Sequence, residues 1–261
     1  MTQFTRPVDL HRIRHVIFDF DGTLSLITGG WSDVMTDVFL EHLPLRENDG
    51  GRTFARREIL QLNGRPSIQQ MSRLAELVNE RGGKAAEPVA YHEIFCGRLR
   101  SMVRERRAAL EGGTTTVEVM LVPGARAFLE TLRERGLALS LVSGSELPIV
   151  RKEAKLLGIA DFFEGRIFGP EGDAQAFTKR AAIDRIVAKH AVGDGELLAF
   201  GDGPVEIQET RALGGVAIGI ACVEADPLPG EIDEGKRIVL NAAGADAVLA
   251  DFRAAPALFA A

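Results

Sequence analysis

The sequence predicts an α/β fold: a mostly parallel sheet covered by helices, interrupted after its first strand by a long helical insertion. Three observations carry that expectation. Through residues 119–261, short apolar runs alternate with amphipathic segments, as in a parallel sheet packed on both faces. A separate apolar run, His15-Val16-Ile17-Phe18, stands near the N-terminus. Between these regions, residues 28–118 carry helical periodicity and almost no strand signal.

The elements follow in order. After the first apolar run, Trp31, Val34, Met35, Val38 and Phe39 recur at helix spacing, with Pro44 beyond them. Further helices are expected over 52–62, 67–80 and 87–110, separated by Asn63-Gly64-Arg65-Pro66 and Arg81-Gly82-Gly83. Residues 123–135 form a helix, with Pro123 suited to its start and Gly136 to its end. A strand over 137–142 and a helix over 147–157 come next, then a helix over 177–190. Strands at 197–200, 216–220 and 247–249 enclose a helix over 205–213. The crossovers should be right-handed. The expected division is a core of 1–27 and 119–261, with the insertion at 28–118. Its junctions fall near 26–30 and 118–122, where glycines or a proline allow hinge geometry. Trp31 and Phe39 read as part of the insertion's own core.

Composition narrows the function classes. The chain has 261 residues, enough for one large domain or a core plus an insertion. Hydrophobic content of 46% with 26% charged residues suits a soluble globular protein. A net charge of −6 offers no global footprint for nucleic acid. Cys96 and Cys222 lie far apart and form no CxxC, which argues against a disulfide framework or zinc site and fits a reducing cytosol. No apolar stretch approaches the roughly 20 residues that span a membrane. The N-terminus, with Asp9, Arg12 and Arg14, does not read as a signal peptide. A cytoplasmic protein acting on small molecules is expected.

In open α/β sheets, ligands bind beyond the carboxyl ends of the strands. The first strand ends in Asp19-Phe20-Asp21-Gly22-Thr23-Leu24. Side chains alternate along a strand, so Asp19 and Asp21 share a side. Two acids on one side repel unless a cation, a proton or a transferred phosphoryl group lies between them. The doublet is therefore a candidate for metal-assisted phosphoryl chemistry. The strand over 137–142 ends in Ser143-Gly144-Ser145, and that over 197–200 in Gly201-Asp202-Gly203-Pro204-Val205-Glu206. Lys179 lies between them, near a helix start. These positions supply a nucleophile, a second acid, a hydroxyl with nearby amides, a cation and a metal-binding acid.

In this order and over essentially the whole chain, the set resembles the haloacid dehalogenase-like (HAD) superfamily. The resemblance implies a Rossmann-like core with a helical cap of the C1 type. Pro123-Gly124-Ala125, ahead of a helix ending in Arg135-Gly136, resembles the phosphoglycolate phosphatase-like branch. The segments 62–71 and 201–207 resemble a subgroup found beside sugar kinase domains, which adds a sugar phosphate to the expected substrates. By resemblance, Asp19 is a nucleophile that forms an aspartyl-phosphate, and Asp21 the acid and base. Mg²⁺ would be held by the Asp19 side chain, the Asp21 carbonyl and Asp202. Ser143, the Gly144 amide and Lys179 would bind phosphoryl oxygens. Glu206 would support Lys179 or reach the metal through water. Many relatives carry a proline soon after the lysine, whereas this chain has Arg180-Ala181-Ala182, which makes Arg180 a competitor for the role. Gly22 would permit the tight turn.

Arg65, beside Gly64, sits where related caps place a specificity loop. It could clamp a second phosphate or a carboxylate; a solvated arginine in a turn is the equal alternative. Arg52, Arg56 and Arg57, like Arg104, Arg106 and Arg107, read as solvated helix faces. Two segments are decoys. Gly193-Asp194-Gly195 precedes a strand and reads as a turn. The glycine-lysine spacing from Gly230 to Lys236 matches a P-loop, but Arg237 replaces the hydroxyl residue and Glu231, Asp233 and Glu234 would repel phosphates. The expected function is a Mg²⁺-dependent phosphatase acting on a small phosphomonoester. A sugar phosphomutase on the same scaffold is the alternative. A non-catalytic binding module is disfavoured by the intact Asp19, Asp21, Lys179 and Asp202.

Overall fold

A computed structural model of the protein describes residues 4–45, 50–62, 67–171, 177–225 and 230–259. The chain divides into two compact units, one built from the residues up to Gly29 and from Ala109 onward, the other from Gly30–Ala108. The second unit holds α1 (Trp31–His42), α2 (Gly51–Gln61), α3 (Ser67–Glu80) and most of α4 (Pro88–Glu111). Met35, Val38 and Phe39 of α1 pack with Met71, Leu74 and Val78 of α3 and with Tyr91 and Phe95 of α4. Trp31 lies partly buried against the same cluster. Arg52 pairs with Asp37 at 2.5 Å across α1 and α2. Arg65 lies outside the described residues.

In the first unit, β1 (His15–Phe18), β2 (Ala138–Val142), β3 (Ile167–Phe168), β4 (Leu197–Gly201), β5 (Val216–Ile220) and β6 (Ala247–Leu249) form one sheet. Every ladder is parallel, in the order β3-β2-β1-β4-β5-β6. Helices α5 (Ala125–Glu134), α6 (Leu147–Leu156), α7 (Lys179–His190), α8 (Pro204–Ala212) and α9 (Glu234–Ala242) accompany it. The strand order runs one way from β1 to β3 and the other way from β4 to β6. The reversal leaves a crevice between the ends of β1 and β4, where doubly wound sheets bind their ligands.

Strand β1 is central and wholly buried, so its side chains feed two cores. Phe18 stacks on Phe200 with ring centroids 5.1 Å apart and meets Phe128 of α5 edge-on at 6.3 Å. Phe252 stacks on Phe128 at 5.4 Å. Such pairs contribute about 0.5–1.5 kcal/mol each beyond their burial. Ile17, one residue along, turns to the opposite face and packs with Ala182, Ile183 and Ile186 of α7. The alternation within β1 thus joins the two layers of helices.

Several sequence expectations need correction. Strand β3 was not expected, because two residues carry no period. Helix α9 was not expected either: its first turns hold Glu234, Lys236 and Arg237 and give no clear apolar face. Helix α5 begins at Ala125 rather than at Pro123, because Gly124 caps it with φ 80°. A Cβ at Gly124 would meet the Arg253 nitrogen at 2.6 Å, so a side chain is excluded there both by conformation and by space. Helix α8 opens one residue earlier than expected, at Pro204, where a missing N–H costs nothing. Asp194 and Gly195 form a turn ahead of β4.

Candidate active site

The crevice is built from the loops that follow β1, β2, β4 and β5. After β1 the Phe20 carbonyl accepts from the amides of Thr23, Leu24 and Ser25, which folds the chain sharply behind Asp19. Gly22 takes φ +71° in this turn, and a Cβ there would lie 2.3 Å from Asp202 Oδ2 and 2.9 Å from Glu224 Oε1. Only glycine fits a left-handed position pressed against two carboxylates.

Asp19 is 5% exposed. Its backbone amide donates to the Phe200 carbonyl at 2.9 Å, which continues the β1–β4 ladder and fixes the side chain at the strand end. Lys179 Nζ donates to Asp19 Oδ1 at 2.8 Å. Burial pushes the Asp19 carboxyl up to about 6; Lys179 works against this, while Asp202 and Asp21 add to it. Asp21 accepts from Thr28 Oγ1 on one oxygen and from Ser145 Oγ on the other, both at 2.8 Å. The Ser143 hydroxyl reaches the same Asp21 oxygen at 3.5 Å and accepts from the Ser145 amide at 3.0 Å.

Lys179 is the first residue of α7, whose N-cap Thr178 accepts from the Ala181 amide. Its Nζ also makes a close ion pair with Glu206 Oε1. The second oxygen, Glu206 Oε2, is buried and has no hydrogen-bond partner among the described residues. Arg180 turns away and pairs with Asp184 and Glu209, so Lys179 is the cation that reaches Asp19. Gly144 lies beside this lysine: a Cβ there would sit 3.8 Å from Lys179 Cε.

Asp202, at the end of β4, does not point into solvent as an uncompensated acid. Lys236 Nζ donates to Asp202 Oδ2 at 2.8 Å and to Glu224 Oε1 at 2.5 Å. Burial works to lower the Lys236 pKa, but Asp202 and Glu224 overcome it and hold the ammonium well above its ordinary range. Thus Lys236, set aside as part of a false P-loop, belongs to the site electrostatics. Thr28, Ser145 and Glu224 were also missed. Ser145 stands in the same Ser-Gly-Ser that supplies Ser143 and was within reach of a motif argument. Thr28, Glu224 and Lys236 had no local signal, because each meets its partner through loop folding.

The site can accommodate a divalent cation. The carboxylates of Asp19, Asp21, Asp202, Glu206 and Glu224 outnumber the ammoniums of Lys179 and Lys236. The orphaned, buried Glu206 oxygen leaves negative charge in need of a counter-ion, and the nearby Asp202 and Asp21 add to the upward push that burial gives the Asp19 carboxyl. All donors are hard oxygens, which suits Mg²⁺. Among the described residues no three acidic, histidine or cysteine side chains close around one point. The set implied by resemblance needs only two carboxylates and a backbone carbonyl, and Mg²⁺ retains waters for the rest.

The model of the haloacid dehalogenase-like hydrolase family matches residues 16–205. The chain belongs to this family. A phosphoserine phosphatase of Lactococcus lactis subsp. lactis (strain IL1403) is 31% identical over 167 residues, covering 56% of this chain and 76% of that protein. The structure of a HAD family hydrolase from Deinococcus radiodurans R1, with bound phosphate and sodium, superposes with a TM-score of 0.64 at 18% identity. That match covers 96% of this chain and 97% of the other. A predicted phosphoglycolate phosphatase of Haemophilus somnus 129pt gives 0.61 at 16% identity, over 95% and 98% of the two chains. These structural likenesses establish the HAD fold, a Rossmann-like parallel core carrying a helical insertion. No described helix of this HAD hydrolase is long and apolar enough to cross a membrane.

Proposed function

We propose that this HAD-family phosphatase hydrolyses a small phosphomonoester, a sugar phosphate or a phosphorylated small acid, with Mg²⁺ and through an aspartyl-phosphate on Asp19. The single observation that carries the proposal is the asymmetry of the Asp19–Asp21 doublet. Asp19 is buried at the strand end with Lys179 2.8 Å from one oxygen. Asp21 is held at both oxygens by the hydroxyls of Thr28 and Ser145. One acid is thereby set to attack and the other to exchange a proton.

In this reading an Asp19 oxygen attacks phosphorus as the ester oxygen leaves, which splits one difficult displacement into two easier ones. Asp21 gives the leaving oxygen its proton and then takes one from the water that hydrolyses the aspartyl-phosphate. Lys179, Ser143 and the Gly144 amide bind the phosphoryl oxygens and offset the charge that develops on them. Glu206 fixes Lys179 between itself and Asp19. Mg²⁺, held by Asp19, Asp202 and the Asp21 carbonyl, with Glu206 acting through water, would neutralise the approach of carboxylate to phosphate. The helical insertion is the proposed source of substrate choice, with Arg65 as a contact to a second anionic group. The name of the Lactococcus relative, a phosphoserine phosphatase, supports a substrate that carries a carboxylate beside its phosphate.

Phosphate release across a panel of phosphate esters, in Mg²⁺, tests the proposal. Turnover should appear for small esters and fall by roughly 10³-fold or more in Asp19→Asn. Interconversion of sugar phosphate isomers without phosphate release would overturn the phosphatase assignment in favour of a mutase. For Arg65→Ala, KM should rise by about tenfold on substrates with a second anion and stay level on simple esters. A uniform effect across the panel would remove Arg65 from the site.

A further inference from the structure

Lys236 lies outside every motif that the sequence offers for phosphate chemistry, yet its side chain is only 9% exposed and touches the heart of the site. Its two acceptors, Asp202 and Glu224, sit in the loops after β4 and β5. Both acceptors also press on Gly22 in the loop after β1, at the distances given above. One ammonium therefore ties together the loops after β4 and β5, beside the turn at Gly22.

The helix that carries it is well anchored. Cys222 and Ile232 form an antiparallel bridge, and the Asp233 amide donates to the Ala221 carbonyl at 2.8 Å. The Asp233 carboxylate caps α9 through the Lys236 amide at 3.1 Å. Gly219 in β5 lets the helix approach: a Cβ there would meet Leu240 Cδ1 at 2.8 Å. The ammonium is thus delivered from a fixed frame. Desolvating it is costly unless it is fully paired. Pairing with Glu224 alone would meet much of that need, so the additional bond to Asp202 calls for its own explanation.

We propose that Lys236 is a positioning residue for Asp202. By occupying Oδ2 it fixes the carboxylate and leaves Oδ1 as the oxygen available to the divalent cation. Glu224 holds the ammonium in place from the other side. The inference rests on the proposed role of Asp202 as a metal ligand. Hydrogen-bond partners that orient metal ligands typically contribute 10–100-fold to metal affinity.

The test is calorimetric titration of the full chain with Mg²⁺ alone, without substrate. It compares the wild type, Asp202→Asn, Lys236→Met and the double variant Lys236→Met/Glu224→Gln. The double variant removes one charge of each sign, keeps the local net charge and carries the test if Lys236→Met alone does not fold. Mg²⁺ affinity should fall 10–100-fold in both Lys236 variants. Wild-type affinity in the double variant, beside weakened binding in Asp202→Asn, would overturn this inference alone: Lys236 would then be only a counter-ion for Glu224. Undiminished binding in Asp202→Asn would overturn the metal role of Asp202, and this inference with it.

Discussion

Asp19 and Asp21 differ by two positions in the chain and by everything in their surroundings. Asp19 is buried against a cation, with its carboxyl pushed up to about 6 by burial first and by neighbouring carboxylates after that. Asp21 is oriented by two hydroxyls at 2.8 Å. Those hydroxyls should matter to the chemical step more than to binding. Ser145→Ala combined with Thr28→Val is expected to lower kcat by about 10–100-fold with little change in KM, since it frees the acid from its geometry. A steady-state assay that instead showed only a raised KM would place both hydroxyls on the substrate. The main acids and the lysine were legible in the sequence because they stand at strand ends or a helix start, where one-dimensional position implies location. Thr28, Glu224 and Lys236 were not: Thr28 meets Asp21 only because the loop after β1 folds back, Glu224 and Lys236 meet only in the folded chain, and nothing local marks them. Arg180 illustrates the same limit: it neighbours Lys179, yet helix geometry sends it to Asp184 and Glu209.

Among the elements, β1 carries the most. It presents Phe18 to one core and Ile17 to the other, leads directly into Asp19, and begins with His15. That histidine is 1% exposed, and its Nε2 lies 2.9 Å from Ser140 Oγ. Burial first, then the nearby His190 and Arg166, lower its pKa to about 4. The folded protein thus keeps a neutral imidazole where the unfolded chain, with a pKa near 6.5, takes up a proton. The contribution to stability is fully present above pH 6.5 and is lost as the pH falls toward 4, by up to about 3 kcal/mol. Urea unfolding at pH 7.5 and 4.5 should show this loss in the wild type and a shallower one in His15→Gln, which does not titrate. Equal slopes for the two proteins would remove His15 from the account. The long helices and the central strands could be read from periodicity. The ends were less legible: α5 starts where Gly124 must turn under Arg253, a backbone contact between residues far apart in the chain that no local pattern records.

 The separation between those two residues in the chain is what hides the contact from sequence reasoning.

At the scale of the whole molecule, the strand order decides where chemistry can occur. The reversal between β1 and β4 gathers the loops after β1, β2, β4 and β5 at one edge of the sheet, and the site's negative charge collects there. A divalent cation should therefore affect stability as well as rate. EDTA is expected to reduce phosphate release to background, and Mg²⁺ to restore it. At 100 times its dissociation constant, the cation should add about 2.7 kcal/mol to stability, read as a rise in Tm. Full activity in EDTA would contradict the metal role of Asp202. By itself, the sequence determined the α/β class, the helical insertion and the positions of the acids and lysine proposed to carry the chemistry, because periodicity and strand-end position are local properties. The tertiary structure alone decided that a lysine of α9 reaches Asp202, that hydroxyls from two loops orient Asp21, and that Gly22 faces two carboxylates. Those facts depend on which loops the sheet order brings side by side, and that is a property of the folded chain as a whole.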